Sequence, residues 1–130
     1  MNSPQSESAV SRTILAVDDS ASMRQMVAYV LKQGGYRVVE AEDGDEALAL
    51  ASRQQFDAVI TDHNMPRMDG LTLVRSLRST DGYASTPIML LTTESSAEMK
   101  QKGREAGATG WMVKPFDPDR LLDMCRRILA

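Results

Sequence analysis

The chain has 130 residues, 42% of them hydrophobic and 25% charged, which is the composition of one globular domain. Its formal net charge of −3 argues against non-specific nucleic-acid binding, because such binding needs a strong positive field, and we expect no nucleic-acid partner. No apolar run approaches the ~20 residues of a membrane span, and the N-terminus lacks the basic start and apolar core of a signal peptide. The single cysteine, Cys125, can form no internal disulfide, and we expect a cytoplasmic monomer without membrane insertion.

Residues 1–12 contain four serines and no apolar periodicity, so we expect a flexible N-terminal arm followed by one domain at 13–130. In that domain, short apolar runs typical of buried strands alternate with segments of helical periodicity. The predicted strands lie at 14–17, 36–41, 57–61, 87–91 and 109–113. Capping residues mark the predicted helix starts, namely Ser20, Asp43, Asp69, Ser95 or Ser96, and Asp117.

The alternation of five strands with five helices favours an α/β fold with a parallel sheet and right-handed crossovers. Because all strands of such a sheet run in the same direction, the residues at their carboxyl ends share one rim. Five polar residues occupy these positions, namely Asp18, Asp19, Asp62, Thr92 and Lys114. We therefore expect a functional site at this rim.

Three carboxylates at one end of a dry sheet repel one another, so a proton or a cation must offset their charge. Hard oxygen ligands of this kind suit Mg2+ or Mn2+. An oxygen of Asp62 could then attack phosphorus to give an aspartyl phosphate, with Lys114 and the Thr92 hydroxyl binding the phosphoryl oxygens. Simpler interpretations stay open, in which Asp18 and Asp19 only precede the first helix cap, Lys114 is a solvated surface lysine, and the Thr92 side chain satisfies its own backbone.

Three short motifs and one threonine carry a resemblance to a known family. They are, in chain order, Asp18-Asp19, Asp62-x-x-Met65-Pro66-x-Met68-Asp69-Gly70, Thr92 and Lys114-Pro115-Phe116. In this order and spacing they resemble the receiver domain of two-component response regulators, and the resemblance covers residues 13–129. Within that family the chain is most similar to the stand-alone, CheY-like chemotaxis receivers, through residues 19–24, 62–66 and 106–111.

The resemblance implies a flavodoxin-like, doubly wound, five-stranded parallel sheet in the order 2-1-3-4-5, with five helices in a single domain. It also implies Asp62 as the phosphoacceptor, Lys114 as the partner of the phosphoryl group, and a cis bond between Lys114 and Pro115. The implied cofactor is Mg2+, with Mn2+ as a substitute. Its implied ligands are Asp19, Asp62 and the backbone carbonyl of Asn64, with Asp18 contributing through water.

By the same resemblance, Thr92 moves toward the phosphoryl group and an aromatic residue of the fifth strand enters the space that Thr92 leaves. Trp111 stands where the family usually has tyrosine or phenylalanine, and its indole is bulkier and carries an N–H group. In the alternative interpretation, Trp111 packs permanently against the fourth helix. Asn64 and Glu94 match two positions that tune water access to the phosphoryl group, which implies a short-lived phosphoryl state.

The implied phosphodonor is a phosphohistidine on a histidine kinase of the chemotaxis type. The implied output partner is the flagellar motor switch, bound by the surface of the fourth helix, fifth strand and fifth helix, and a phosphatase is a further implied partner. We expect a phosphoacceptor switch with self-catalysed phosphorylation and dephosphorylation, and not an enzyme. His63, the only histidine, is interpreted as a side chain that faces its neighbours and not as a ligand.

Two alternative functions stay open. Within the receiver family, the chain could instead be a stand-alone receiver that acts as a phosphate sink or regulates a partner other than the flagellar motor. A Mg2+-dependent phosphohydrolase of the haloacid type would also use an aspartyl nucleophile. That class needs an Asp-x-Asp pair after a strand, and the sequence has no such pair after the first or the third predicted strand.

Overall fold

The computed structural model describes residues 11–129, in which five strands alternate with five helices. In chain order the elements are β1 (Thr13–Val17), α1 (Ala21–Gln33), β2 (Arg37–Ala41), α2 (Gly44–Arg53), β3 (Ala58–Asp62), α3 (Gly70–Arg78), β4 (Ile88–Thr92), α4 (Ala97–Ala106), β5 (Gly110–Val113) and α5 (Pro118–Ile128). Of the predicted N-terminal arm, residues 1–10 lie outside the described residues. The carbonyl of Arg12 accepts the N–H of Arg37 at 2.8 Å, so the hydrogen bonding of the sheet begins one residue before β1.

The strands form one parallel sheet in the order β2-β1-β3-β4-β5. Ile14 of β1, for example, lies opposite Val38 of β2 and Ala58 of β3. Helices α1 and α5 pack on one face of the sheet, and α2, α3 and α4 pack on the other. The predicted doubly wound, flavodoxin-like fold is therefore confirmed, including its strand order.

Strand side chains alternate between two hydrophobic clusters, one on each face of the sheet. In β1, Leu15 and Val17 belong to the cluster covered by α2, α3 and α4, whereas Ile14 and Ala16 belong to the cluster covered by α1 and α5. Strands β3 and β4 are buried along their whole length. This burial on both faces explains why the central strands read as continuous apolar runs in the sequence.

Each helix begins after a capping residue that was predicted from the sequence. The side chain of each accepts a backbone N–H from the first turn: Ser20 from Met23, Asp43 from Glu46, Asp69 from Thr72, Ser96 from Met99, and Asp117 from Asp119. None of the helices within residues 11–129 has the length and apolar character that a membrane span requires. In α5, Cys125 is fully buried and burial raises its pKa to about 11, so it is a core residue and not a nucleophile.

The connection between α3 and β4 is anchored by a buried tyrosine. Tyr83 has no exposed surface, and its hydroxyl donates to the carbonyl of Gln54 at 2.7 Å while accepting the N–H of Phe56 at 3.1 Å. The phenol therefore satisfies two backbone groups of the connection between α2 and β3. Sequence patterns did not predict this contact, because its partners are 27 and 29 residues away.

Arg78, the last residue of α3, anchors a second part of this connection. Its guanidinium donates to the carbonyls of Tyr83 at 2.8 Å and Thr86 at 2.6 Å. Its Nε donates to the carbonyl of Gly107, directly after α4, at 2.9 Å. One side chain thus joins the end of α3, the loop before β4 and the C-terminal end of α4.

Gly70, the first residue of α3, lies against the end of β3. A Cβ at this position would lie 2.6 Å from the carbonyl oxygen of Asp62 and 2.7 Å from the Cα of His63. These atoms belong to the backbone and cannot swing aside, so only glycine allows α3 to start this close to the strand. The N–H of Gly70 also donates to the carbonyl of His63 at 3.0 Å. Gly70 therefore sets where the backbone of Asp62 lies relative to α3.

We expect Tyr83→Phe to lower the free energy of unfolding by about 1–3 kcal/mol, because the carbonyl of Gln54 and the N–H of Phe56 lose a buried partner. Urea denaturation followed by circular dichroism measures the change. Tyr29→Phe is the matched control, since Tyr29 is 64% exposed. Its effect should stay within about 0.5 kcal/mol. Equal effects of the two substitutions would show that the Tyr83 hydroxyl contributes nothing.

We expect Gly70→Ala and Gly103→Ala to change stability in opposite directions. The first should lower the free energy of unfolding by about 1–3 kcal/mol, because the added methyl group collides with the backbone of Asp62 and His63. At Gly103, in the middle of α4, nothing lies within 4 Å of an added Cβ. Alanine should therefore raise stability there by up to about 1 kcal/mol through helix propensity. Thermal unfolding of the two variants tests this, and a shift of the same sign in both contradicts it.

Candidate functional site

The polar residues predicted at the strand ends converge on the C-terminal edge of the sheet. Asp62 is the last residue of β3 and Thr92 the last of β4, whereas Asp18 and Lys114 directly follow β1 and β5. Asp18, Asp62 and Thr92 are buried, with exposures of 4%, 2% and 0%. Asp19 is exposed. The pair Asp18-Asp19 therefore places one carboxylate inside the protein and one at its surface.

Three carboxylates lie close together at this edge. Asp18, Asp19 and Asp62 each offer an oxygen, and these oxygens lie within 4.8 Å of one another. Burial raises the pKa of Asp18; the neighbouring Asp62 and Asp19 also raise it, against the N–H of Ser20 and the ammonium of Lys114, which lower it. The cluster therefore concentrates negative charge in a place where water screens it poorly.

One atom of the cluster indicates what it could bind. Oδ2 of Asp18 is buried and has no hydrogen-bond partner among the described residues, whereas Oδ1 accepts the N–H of Ser20 at 2.9 Å. A buried carboxylate oxygen without a partner is costly unless a cation or a water molecule meets it. Together with two neighbouring carboxylates, it forms the hard oxygen donor set that fits Mg2+ or Mn2+.

Lys114 forms an ion pair with Asp62. Its Nζ contacts Oδ1 of Asp62, and the exposed fractions of the two side chains are 14% and 3%. Apart from this ion pair, Oδ1 of Asp62 has no hydrogen-bond partner within residues 11–129. The bond between Lys114 and Pro115 is cis, as the resemblance implies. The interpretation of Lys114 as a solvated surface lysine is therefore wrong.

Thr92 connects the site to the loop that precedes α4. Its hydroxyl oxygen accepts the N–H of Glu94 at 3.1 Å. This bond uses the oxygen as an acceptor and leaves the hydroxyl hydrogen for another partner. The carbonyl of Thr92 accepts the N–H of Lys114 at 2.8 Å, so the two residues are also joined through the backbone. Glu94 and Asn64 are both exposed.

The loop that follows β3, residues 63–69, is held by its backbone. The N–H of His63 donates to the carbonyl of Leu91 at 2.8 Å, and the N–H of Met65 donates to the carbonyl of His63 at 3.0 Å. Arg67 has a φ of 66°, a left-handed backbone conformation that residues other than glycine rarely adopt. Its guanidinium forms an ion pair with the carboxylate of Asp43 at 3.1 Å. His63 is partly buried, as expected for a side chain that faces its neighbours.

Trp111 lies on β5, partly buried against the cluster covered by α2, α3 and α4. The ammonium of Lys100, on α4, lies 5.4 Å from the centroid of its ring, which is a cation–π contact. The buried residues of α4 are Met99, Gly103 and Ala106, which offer little apolar surface. Met99 is thus the one large apolar side chain among the buried residues of α4.

Arg24 contacts this site and was not among the predicted site residues. Its Nη1 donates to the carbonyl of Asp18 at 2.8 Å, and its Nε pairs with Glu40 of β2 at 3.1 Å. A signal for it exists in the sequence. Arg24 is the fourth residue of α1, and a cation so near the N-terminus of a helix is opposed by the helix dipole, which indicates a specific partner.

Comparison with known proteins identifies the family of this site. Residues 14–126 match the family described as response regulator receiver domain. Response regulator MprA of Mycobacterium leprae is 41% identical over 116 residues, which are 89% of this chain and 50% of MprA. The chain spans about half the length of the curated relatives it matches.

Solved structures agree with the family match. Chemotaxis response regulator CheY4 of Vibrio cholerae is 51% identical with a TM-score of 0.87, over 91% of this chain and 98% of that one. The receiver domain of sensor histidine kinase PA1611 from Pseudomonas aeruginosa PAO1, which has a magnesium ion coordinated in its active site cleft, is 28% identical with a TM-score of 0.84, over 92% and 98%. The chain therefore belongs to the response regulator receiver family of two-component systems.

Proposed function

We propose that this chain is a phosphorylation-activated switch in which Asp62 accepts a phosphoryl group from the phosphohistidine of a chemotaxis-type sensor kinase. The observation that carries the proposal is the position of Asp62. It is buried, one of its oxygens lies within 4.8 Å of oxygens of Asp18 and Asp19, and it forms an ion pair with Lys114. A buried carboxylate with a dedicated ammonium partner is the arrangement that a phosphoryl acceptor needs, because the new phosphoryl oxygens bring more negative charge.

Mg2+ would be held by Asp19, Asp62 and the backbone carbonyl of Asn64, with Asp18 contributing through water. When bound, the ion supplies positive charge that offsets the carboxylates and the phosphoryl oxygens. The buried oxygen Oδ2 of Asp18 supports this assignment, because it lacks a partner in the described part of the chain. The magnesium ion in the related PA1611 receiver supports it as well. Mn2+ shares these ligand preferences and should substitute for Mg2+.

In the transfer itself, an oxygen of Asp62 forms a bond to phosphorus while the bond between phosphorus and the donor imidazole nitrogen breaks. The imidazole leaves and takes up a proton, and the product on Asp62 is an acyl phosphate. Lys114 stabilises the phosphoryl oxygens through its ammonium, which lies at Asp62 already. The reaction modifies the protein once per cycle, so the chain acts as a phosphoacceptor and not as an enzyme with a separate substrate.

Thr92 is the residue proposed to transmit the change. Its hydroxyl hydrogen is available to a phosphoryl oxygen on Asp62, while its oxygen accepts the N–H of Glu94. A shift of Thr92 toward Asp62 would therefore act on the start of α4 as well as on the core. The space vacated by Thr92 would then be open to Trp111, which lies on the neighbouring strand and contacts Lys100 of α4.

The output surface is proposed to be formed by α4, β5 and α5. A cavity of about 390 Å³ lies there, lined among others by Trp111, Phe116, Arg120 and Met124. Because apolar side chains and the charged residues Asp117 and Arg120 line it together, the cavity could accept an amphipathic segment of a partner. Because Trp111 lines this cavity, a change in its orientation would change the surface that the partner meets. The proposed partner is the flagellar motor switch, supported by the 51% identity to CheY4 of Vibrio cholerae.

The phosphoryl group is proposed to be short-lived. Asn64 and Glu94 are exposed at the rim, where small polar or charged side chains leave water a route to the acyl phosphate. Hydrolysis would then be self-catalysed, and a phosphatase could shorten the lifetime further. A second candidate function is regulation of a partner other than the motor, or service as a phosphate sink. This second function is favoured by the 41% identity to MprA, which is named as a response regulator without any mention of chemotaxis.

Asp62→Asn should abolish phosphorylation by a small acyl phosphate in the presence of Mg2+, because the amide is not a nucleophile for phosphorus. Intact-mass spectrometry should show one added phosphoryl group on the wild type and none on the variant. Trp111 fluorescence should respond to Mg2+ in both proteins and to the acyl phosphate in the wild type alone. Asp123→Asn, at a side chain that is 60% exposed, is the control and should be phosphorylated normally. A phosphorylated Asp62→Asn protein would contradict the assignment.

Binding to the flagellar motor switch protein should increase when the wild type is treated with Mg2+ and beryllofluoride, a phosphoryl mimic. The reason is that occupation of Asp62 changes the surface of α4, β5 and α5. A pull-down with immobilised switch protein, with and without beryllofluoride, measures this. Asp62→Asn provides the control, because it should bind equally under both conditions. Equal binding by the wild type would overturn the motor-switch assignment and favour the non-motor alternative.

A further inference from the structure

Arg24 joins three parts of the fold at the acidic cluster. It lies on α1, its Nη1 donates to the carbonyl of Asp18 at 2.8 Å, and its Nε pairs with Glu40 of β2 at 3.1 Å. Its side chain is only 15% exposed, whereas that of Glu40 is 34% exposed. The two nitrogens point to different partners, so the contact depends on the planar fork of a guanidinium and not on charge alone.

The turn that carries the acidic pair is anchored at three points. The N–H of Asp18 donates to the carbonyl of Ala41 at 3.1 Å, and its carboxylate accepts the N–H of Ser20 at 2.9 Å. The carbonyl of Asp18 is the third point, and it is the one that Arg24 binds. This carbonyl belongs to the peptide group that leads into Asp19. Because Asp19 is exposed and the neighbouring core does not pack around it, the orientation of that peptide group decides where its carboxylate lies.

We propose that Arg24 is a positioning residue for the divalent ion: held by Glu40, it fixes the Asp18–Asp19 peptide so that the carboxylates of Asp18 and Asp19 face Asp62. This inference rests on the proposed function, since it concerns the ion that the acidic cluster would hold. Residues that orient metal ligands without touching the metal contribute substantially to affinity, because the ligands then need no rearrangement on binding.

The direction in which substitution of Arg24 changes the affinity for Mg2+ distinguishes this proposal from a purely electrostatic effect of the arginine charge. Arg24 carries a positive charge next to an acidic cluster, so its charge alone opposes the binding of a cation. If charge were its only influence, Arg24→Met would bind Mg2+ more tightly and Arg24→Lys would bind it like the wild type. If Arg24 positions the turn, both variants bind Mg2+ more weakly. Methionine offers no donor, and lysine offers one nitrogen on a flexible stem in place of the two rigidly spaced nitrogens that contact Glu40 and the carbonyl of Asp18.

The test is isothermal titration calorimetry of the full chain with MgCl2, on the wild type, Arg24→Lys and Arg24→Met. We expect the dissociation constant to rise on the order of 10-fold in both variants. Arg126→Met is the matched control. It removes one arginine charge from an exposed ion pair on α5, where the Arg126 side chain is 63% exposed. Its dissociation constant should stay within about 2-fold of the wild type.

A second measurement separates positioning from damage to the fold. The rate of phosphorylation by a small acyl phosphate should require more Mg2+ for half-saturation in Arg24→Lys, yet reach the wild-type rate at saturating Mg2+, because the bound ion restores the geometry. A fold defect would lower the saturating rate instead. Should Arg24→Met fail to fold, as judged by circular dichroism, Arg24→Lys decides the question alone.

Each outcome has one meaning. Weaker binding by Arg24→Lys supports the proposal. Binding by Arg24→Lys equal to the wild type, or tighter binding by Arg24→Met, overturns it and leaves the proposed function intact. A wild type that binds no Mg2+ overturns the metal site of the proposed function, and the role of Arg24 with it.

Discussion

The structure is organised around the repulsion between buried carboxylates at the C-terminal edge of a parallel sheet. Asp18 and Asp62 are both almost completely buried, and with Asp19 they place their oxygens within 4.8 Å of one another. Within the described residues, the ammonium of Lys114 is the cation paired with this group. The two strands that precede and carry these buried carboxylates, β1 and β3, are paired with each other, so Asp18 and Asp62 stay close together in spite of the repulsion.

Much of the fold could be predicted because the determining signals are local. Short apolar runs such as residues 14–17, caps such as Ser20 and Asp69, and the alternation of strands with helices are recognised within a short window of sequence. The predicted rim follows from the same alternation, since parallel strands bring residues as distant as Asp18 and Lys114 to one edge. Boundaries shifted by one residue, so that Asp62 and Thr92 end their strands and do not follow them.

What the sequence did not reveal are contacts between distant segments. Tyr83 meets Gln54 and Phe56 across the connection between α2 and β3, and no periodicity links these positions. Arg24 bridges the backbone carbonyl of Asp18 and the side chain of Glu40, which lie 6 and 16 residues away in the chain. A charged residue shows its partner in the sequence only when both lie on one helix face. Pairs formed by the packing of separate elements require the fold itself.

The anchoring of α4 at one end has a mechanical consequence. Arg78 binds the carbonyl of Gly107, directly after the helix, at 2.9 Å, whereas the opposite end starts from the loop in which Glu94 meets Thr92. A rigid helix that is held at its C-terminal end tilts about that end, so the displacement of its residues increases toward its N-terminal end. Any tilt of α4 would thus be smallest at Gly107 and largest at Ser96, which lies eleven residues, or about 16 Å along the helix axis, from Gly107. The change is then concentrated at the end of α4 that follows Thr92.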